Sequence, residues 1–153
     1  MAGHPEDDID IVQVGKEQLH EVIDVWNRSG LKTKPGGRDC LTELEKQVEQ
    51  KNVFFLAALE KKEGRKPVGV VLVTHDSRKG WINRLAVLPE YRKKGYASAL
   101  IKAAEELLEK NGIYVWCALI EEWNKASISL FLKNSYTEHK DIIYFTKRKS
   151  KDV

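Results

Sequence analysis

One stretch of the sequence limits the fold more than any other, because it joins a strand, a basic turn and an amphipathic helix. The strand-like run covers Trp81 to Leu88, and the glycine-containing turn covers Pro89 to Ala97. From Ala97 onward, apolar residues recur at i, i+3, i+4 and i+7, the spacing of one buried helical face. Asn111 and Gly112 end this pattern. The stretch therefore predicts a strand followed by a helix that begins at the turn.

The turn has the features of an anion-binding site. Unpaired backbone N–H groups at a helix N-terminus, together with the helix dipole, attract negative charge. Gly95 and Ala97 leave the backbone open to close approach, and Arg92, Lys93 and Lys94 add positive charge. The spacing fits neither the P-loop nor the glycine motif of dinucleotide-binding proteins. We therefore predict a phosphate-bearing ligand of another kind.

Two blocks of the sequence together resemble the GNAT (Gcn5-related) N-acetyltransferase superfamily. The first block, Arg92-x-x-Gly95-x-Ala97, is similar to the family's acyl-coenzyme A signature R/Q-x-x-G-x-G/A. The second block, from Asn124 to Tyr136, resembles the family's N-x-x-A-x-x-L-Y-x-K-x-G-F helix. The resemblance implies one acetyltransferase domain over residues 1–153, and we expect flexible ends at residues 1–8 and 148–153.

The pattern of the whole chain predicts a mixed α/β fold with the element order β-α-α-β-β-β-α-β-α-β. Asp39 is expected to cap the second helix. The later strands are predicted at Ile113–Ile120 and Asp141–Thr146. The family's layout implies a mostly antiparallel central sheet with helices on both faces. It also implies a splay between strands 4 and 5, where pantetheine would pair with exposed backbone.

Composition argues against several classes of function. A net charge of +3 on 153 residues does not call for a nucleic-acid partner. The two cysteines, Cys40 and Cys117, form no metal-binding motif, so no metal is expected. The chain lacks both the apolar core of a signal peptide and an apolar run of about 20 residues that could span a membrane. We therefore expect a cytoplasmic protein without a membrane partner.

The resemblance implies acetyl-CoA as cosubstrate and coenzyme A as product. The thioester would lie along the strand before the turn, where a backbone N–H of Ala86 or Val87 would stabilise the oxyanion. Asn124 matches the asparagine that contacts pantetheine in the family, and helix capping explains it equally well. The predicted cofactor-binding residues are Leu85, Ala86, Val87, Arg92, Lys93, Lys94, Gly95, Tyr96, Ala97, Ser98, Asn124, Phe131 and Lys133.

The second block also departs from the family pattern. Phe131 stands where the family commonly has a tyrosine that protonates the leaving thiolate, and phenylalanine has no proton to give. Tyr136 could substitute, but it matches the family's core aromatic residue, which favours packing. A thiol with a pKa of about 8.5 can still leave unprotonated near neutral pH, at a cost of roughly 1 to 2 kcal/mol. Ser135 replaces the usual glycine, so we predict that Asn134 takes the left-handed conformation.

The motifs do not supply a general base. Leu119 stands where one branch of the family, which acetylates the N termini of ribosomal proteins, has a glutamate. Glu121 and Glu122 are therefore the candidate catalytic bases, acting through water. Their alternative role is that of solvated residues near a helix N-terminus. Without a strong base, an α-amine with a pKa near 7.8 is an easier acceptor than a lysine with a pKa near 10.4, by roughly 3 to 4 kcal/mol at pH 7.

These arguments predict an acetyl-CoA-dependent N-acetyltransferase in which a primary amine attacks the thioester directly. The acceptor would be a small amine or a protein N-terminus, bound by the loop Leu31–Arg38 and the turn before the last strand. Members of the family are often dimers, so a homodimer is left open. The alternative function is a catalytically silent acyl-CoA sensor or interaction module, which Phe131 keeps open.

Overall fold

The chain forms a single mixed sheet whose strands follow one another in sequence order. The computed structural model describes residues 3–153. The second, third and fourth strands are each antiparallel to the one before it in the sequence, whereas the fourth and fifth are parallel. The strands are β1 (Ile9–Gln13), β2 (Val53–Glu60), β3 (Pro67–His75), β4 (Gly80–Val87) and β5 (Trp116–Cys117).

Helices cover both faces of the sheet. They are α1 (Pro5–Asp8), α2 (Leu19–Ser29), α3 (Leu41–Val48), α4 (Tyr96–Lys110) and α5 (Lys125–Lys133), with 3₁₀ turns at Lys16–Gln18 and Pro89–Tyr91. Part of the predicted flexible end at residues 1–8 thus forms α1, and Met1 and Ala2 lie outside the described residues. Within residues 3–153, we find no helix with the length and apolar character needed to cross a bilayer.

Two hydrophobic cores lie on opposite faces of the sheet. Between the sheet and α4, the side chains of Leu100, Ile101 and Leu108 are completely buried, as the amphipathic pattern predicts. The second core lies between the sheet and α2 and contains Trp26 and Phe55, whose ring centroids are 6.3 Å apart. The amphipathic helices therefore fix the sheet from both sides and leave its β5 edge uncovered.

A β-bulge interrupts β4 next to its centre. Val70 of β3 pairs with Ala86, whereas Leu72 pairs with Asn83, so β4 has one residue more than β3 over the same length. Arg84 lies within the bulge and has a positive φ of 53°.

The bulge reverses the alternation of side chains along β4. Before the bulge, the even-numbered Ile82 packs into the core beneath α4. After it, the even-numbered Ala86 and Leu88 pack into the core beneath α2, while Val87 packs beneath α4. The last residues of β4 are therefore turned over relative to the first.

The predicted splay between strands 4 and 5 is confirmed. Only two residue pairs join the strands, Gly80 with Trp116 and Trp81 with Cys117. The fifth strand was predicted over Ile113–Ile120, and its hydrogen-bonded part in the structure covers Trp116–Cys117. Beyond Trp81 and Cys117 the two strands no longer pair, which leaves a cleft between them.

The prediction of a last strand at Asp141–Thr146 is wrong for this chain on its own. Residues 137–147 make no hydrogen bond with any other residue between Gly3 and Val153. Apolar and aromatic residues favour extended backbone, but a strand also requires a hydrogen-bonded neighbour. The segment that follows α5 does not reach such a neighbouring strand within residues 3–153.

Two local predictions are also corrected. Cys40, not Asp39, is the N-cap of α3, because the Asp39 carboxylate is held by Arg84 and by the backbone N–H of Lys34. Ser135, not Asn134, takes the left-handed conformation, with a φ of 69°. The amide of Asn134 donates to Ser98 Oγ at 3.0 Å and to Leu130 O at 2.8 Å, which keeps its own backbone at a φ of −89°.

Candidate active site

The turn between β4 and α4 presents a row of unpaired backbone donors. The N–H groups from Lys93 to Ser98 have no hydrogen-bond acceptor among residues 3–153. Lys93 and Gly95 have positive φ values of 62° and 84°, and left-handed residues of this kind turn consecutive N–H groups towards one concave side. The dipole of the 15-residue α4 points at the same place. The turn therefore has the geometry of a phosphate site.

The basic side chains of the turn divide into two roles. Arg92 is a structural tie, because its Nε donates to Val87 O at 3.0 Å and its guanidinium donates to Ser29 O at 2.9 Å. Lys94 lies over the ring of Tyr91, with Nζ 5.5 Å from the centroid. Neither Lys93 nor Lys94 forms an ion pair within the described part of the chain. The two lysines can therefore neutralise a bound anion.

Gly95 is required for two physical reasons. Its φ of 84° is unfavourable for residues with a side chain. A Cβ atom at this position would also lie 2.8 Å from Pro5 Cγ, because α1 packs against the turn. The sequence indicated the need for an uncovered backbone, and the structure adds the contact with α1.

The register of β4 shows which backbone donors face the cleft. The N–H of Leu88 donates to Val68 O at 2.9 Å, which points it towards β3. Because N–H directions alternate along a strand, Ala86 points the same way as Leu88, and Leu85 and Val87 point to the opposite, open side. Of the two backbone groups predicted to stabilise an oxyanion, Val87 is thus the one that faces the cleft.

The residues after β5 form the opposite side of the cleft. Asn124 caps α5 by accepting from the N–H of Ser127 at 3.2 Å, so the capping interpretation is confirmed, and its contact with pantetheine stays a prediction. The Glu121 carboxylate accepts a hydrogen bond from the indole N–H of Trp123. Glu122 is exposed and has no hydrogen-bond partner among residues 3–153. Glu121 is therefore the better positioned of the two predicted bases.

A buried ion pair fixes the predicted acceptor loop, Leu31–Arg38, to β4. Arg84 donates to Lys32 O at 2.6 Å and to the Asp39 carboxylate at 2.8 Å. The exposed fractions of the two ionic side chains are 18% for Arg84 and 4% for Asp39. Burial lowers the pKa of Arg84, and the charge of Asp39 opposes this shift. Arg84 thus connects the loop to the bulge.

Sequence reasoning did not identify this role of Arg84. The available signal was an arginine inside a mostly apolar strand, where a charge is rare unless it has a partner. The acceptor loop also reaches the other wall of the cleft, because Lys32 Nζ lies 5.8 Å from the centre of the Trp123 ring. The loop therefore lies across the open end of the splay.

The aromatic residues of the second block lie in the core. Phe131 is buried and meets Tyr136 edge to face, with 4.9 Å between ring centroids. The Tyr136 hydroxyl donates to Glu105 at 2.8 Å, and burial followed by this bond raises the pKa of Tyr136. This agrees with packing as the role of Tyr136. Lys133 is exposed, and the predicted contacts of Phe131 and Lys133 with coenzyme A stay predictions.

Comparison with known proteins assigns this fold and site to a class. The sequence model of the GNAT acetyltransferase family matches residues 18–136. An acetyltransferase of Photorhabdus laumondii is 30% identical over 134 residues, which cover 87% of this chain and 90% of that protein. The chain belongs to the GNAT family and is an N-acetyltransferase, as the two sequence blocks predicted.

Solved structures share the fold at low sequence identity. An aminoglycoside acetyltransferase from an uncultured soil metagenomic sample, in complex with sisomicin, has a TM-score of 0.79 at 16% identity, covering 95% of this chain and 99% of that one. PaiA N-acetyltransferase from Thermoplasma acidophilum, in complex with coenzyme A, has a TM-score of 0.71 at 21% identity, covering 82% and 87%. The predicted fold class is therefore confirmed.

Proposed function

We propose that the protein transfers an acetyl group from acetyl-CoA to a primary amine of a small molecule. The observation that carries the proposal is the row of unpaired N–H groups from Lys93 to Ser98, directly after a strand that has separated from its neighbour. A pyrophosphate needs several donors that already point to one place, and a helix N-terminus supplies them. The cytoplasmic location predicted from the sequence stays a prediction.

The residues present fit coenzyme A chemically. Gly95, Tyr96, Ala97 and Ser98 would bind the pyrophosphate through their backbone N–H groups, and Lys93 and Lys94 would neutralise its charge. Arg92 would hold the turn in place through its bond to Val87. The exposed backbone of Leu85 and Val87 would accept the pantetheine arm in the cleft.

Acetyl-CoA supplies the activated acetyl thioester, and the chain supplies position and charge. The N–H of Val87 faces the cleft and can stabilise the negative charge that develops on the acetyl oxygen. Glu121 can take a proton from the amine through a water, while Trp123 fixes the orientation of its carboxylate. Direct attack is proposed, with the thiolate leaving unprotonated because Tyr136 is bonded to Glu105.

The acceptor loop favours an amine of low charge. Lys32, Lys34 and Arg38 give the loop positive charge, and the adjacent Asp39 is buried against Arg84. A polycationic acceptor would therefore meet repulsion at this loop. The aminoglycoside acetyltransferases that share the fold support a small molecule as acceptor, whereas the loop charge favours one with fewer cationic groups than an aminoglycoside and with a low-pKa amine.

Substitution of Gly95 by aspartate tests the phosphate site. We expect Gly95→Asp to weaken acetyl-CoA binding by about 100-fold, because its carboxylate would repel a pyrophosphate within a few ångströms. Calorimetric titration measures the affinity of the variant and of the wild type for acetyl-CoA.

A separate assay tests the reaction itself. The wild-type protein is incubated with acetyl-CoA and a panel of amines and peptides, and turnover is measured through release of the coenzyme A thiol. Binding of acetyl-CoA without turnover of any amine would contradict the proposed reaction.

Gly112→Asp is the matched control. Gly112 has a similar φ of 76° at the other end of α4, and a Cβ there would meet nothing within 4 Å. Both variants carry the same left-handed aspartate and the same charge, but only one lies at the turn. Equal affinities for acetyl-CoA in the two variants would remove the phosphate site from this turn.

Glu121→Gln tests the proposed base. We expect kcat/KM at pH 7 to fall by about 100-fold, the lower end of the usual contribution of a general base. Glu122→Gln is the control and should retain wild-type kinetics, because Glu122 has no bond that orients it among residues 3–153. Wild-type kinetics in Glu121→Gln across pH 6 to 9 would exclude Glu121 as the base.

A further inference from the structure

The indole ring of Trp123 lies at the open end of the cleft, with 63% of its side chain exposed. Exposure alone carries no weight, because single apolar side chains are common on protein surfaces. The ring is distinguished by the charged groups around it. Its N–H donates to the Glu121 carboxylate, and its face carries the ammonium group of Lys32, 5.8 Å from the ring centre. Trp123 thus brings an anion and a cation together at one place.

The ammonium group of Lys32 is held by this ring alone. It forms no ion pair and no hydrogen bond among residues 3–153. The backbone of Lys32 is fixed separately, because its carbonyl accepts from Arg84 at 2.6 Å. The face of an indole is the negative part of its quadrupole and attracts cations. The structure therefore contains a ring face that already binds one ammonium group.

This ammonium site is exchangeable. Cation–π contacts at exposed sites are weak, so a ligand cation can replace the lysine while the side chain of Lys32 extends into water. The backbone of the loop need not move, because Arg84 holds it independently of the lysine side chain. Lys32 therefore occupies the ring only until another cation competes for it.

We propose that the acceptor binds through its ammonium group on the face of Trp123, and that Lys32 occupies this site when no acceptor is present. This role rests on the proposed function and deepens it, because it assigns the acceptor to a residue and to a charge. Glu121 lies at the edge of the same ring, next to the group that must lose a proton. The bound ammonium would pass that proton to Glu121 through water and attack as a neutral amine.

The charges around the ring favour an acceptor with a single cationic group. When one ammonium group replaces that of Lys32, the charge on the ring is unchanged. A second cationic group would meet repulsion from positive side chains of the loop and of the start of α5, which are Lys34, Arg38 and Lys125. An apolar body would cover the exposed part of the ring. The site thus fits a monoamine with an apolar body.

Choline tests the ring without any reaction, because its quaternary nitrogen has no proton to lose. Its neutral isostere 3,3-dimethylbutan-1-ol is the matched control for apolar contact. Ligand-observed NMR titrations at constant ionic strength, with coenzyme A in place of acetyl-CoA, should show choline binding about 10-fold more tightly than the alcohol. Trp123→Leu should weaken choline binding by about 10-fold, and Trp123→Phe by less. Equal affinities for the two ligands, or unchanged choline affinity in Trp123→Leu, would overturn the proposal.

Removal of Lys32 tests whether this side chain occupies the site. Lys32→Met should strengthen choline binding by about 3-fold, because the competing ammonium group is gone. Lys34→Met removes the same charge from the same loop, but the Lys34 ammonium group is bonded to Lys151 O at 3.0 Å, so its effect should be smaller. Equal effects would indicate general repulsion by the loop and would overturn the role of Lys32.

Competition shows whether the cation site is the acceptor site. In the thiol-release assay, tetramethylammonium, which has no group to acetylate, should compete with the amine and not with acetyl-CoA. Choline binding at Trp123 without such competition would overturn the assignment of the acceptor to this ring. Absence of thiol release with every amine would instead overturn the proposed function and the acceptor site with it.

Discussion

Arg84→Met is expected to lower the free energy of unfolding by about 3 to 5 kcal/mol, the usual cost of leaving a buried charge without its partner. The side chain of Asp39 is only 4% exposed, and Arg84 is its ionic partner at 2.8 Å. Methionine preserves most of the volume of arginine, so the effect reports the lost charge together with the lost hydrogen bond to Lys32 O, and not lost packing. Urea denaturation followed by circular dichroism measures it.

Arg28→Met is the matched control for the loss of an arginine. Arg28 bonds Asp24 and Glu90, but its side chain is 52% exposed, and an exposed ion pair contributes at most about 1 kcal/mol. The double variant Arg84→Met, Asp39→Leu should be more stable than Arg84→Met alone, because no buried charge remains unpaired. Equal losses at Arg84 and Arg28 would show that burial of the pair has no energetic consequence.

Gly80→Ala is expected to cost about 3 kcal/mol, near the upper end of the usual range for overpacking. Gly80 is buried at the point where β4 pairs with both β3 and β5. A Cβ there would lie 2.8 Å from Leu108 Cδ2 and closer still to Cδ1. Leu108 is completely buried and has little room to move. Thermal or urea unfolding measures the loss.

Two further variants separate this clash from a general effect of alanine. Gly36→Ala, where a Cβ would meet nothing within 4 Å, should leave stability within about 0.5 kcal/mol of the wild type. In a Leu108→Ala background, Gly80→Ala should cost much less, because the methyl group enters the space that the leucine leaves. An undiminished cost in that background would mean that Leu108 is not what the methyl group meets.

The parts of the fold that the sequence predicts are those with a local physical cause. The face of α4 follows from the spacing of Leu100, Ala104 and Leu108, because a helix repeats every 3.6 residues wherever it packs. The unpaired donors of the turn follow from Gly95 and the start of a helix. The splay was instead predicted from the family resemblance, because it depends on two strands that are far apart in the sequence.

The parts that the sequence did not predict depend on contacts between distant segments. Asp39 reads as a helix cap until Arg84, which is 45 residues away, is placed beside it. The sequence around Ser135 does not indicate that the side chain of Asn134 bonds Ser98 on α4. For the segment 141–146, strand propensity was recognised, but a strand exists only where another chain segment offers its backbone.

The bulge in β4 has a consequence for insertions and deletions. Surface loops such as Lys61–Lys66 can change length with little effect on the rest of the chain. Loss of one residue at Arg84 would instead turn every later residue of β4 over, exchanging Val87 and Ala86 between the two sides of the strand. The amide now pointing into the cleft would then point into the sheet. A single additional residue in the bulge thus determines which side chains at the end of β4 face each core and which of its amides faces the cleft.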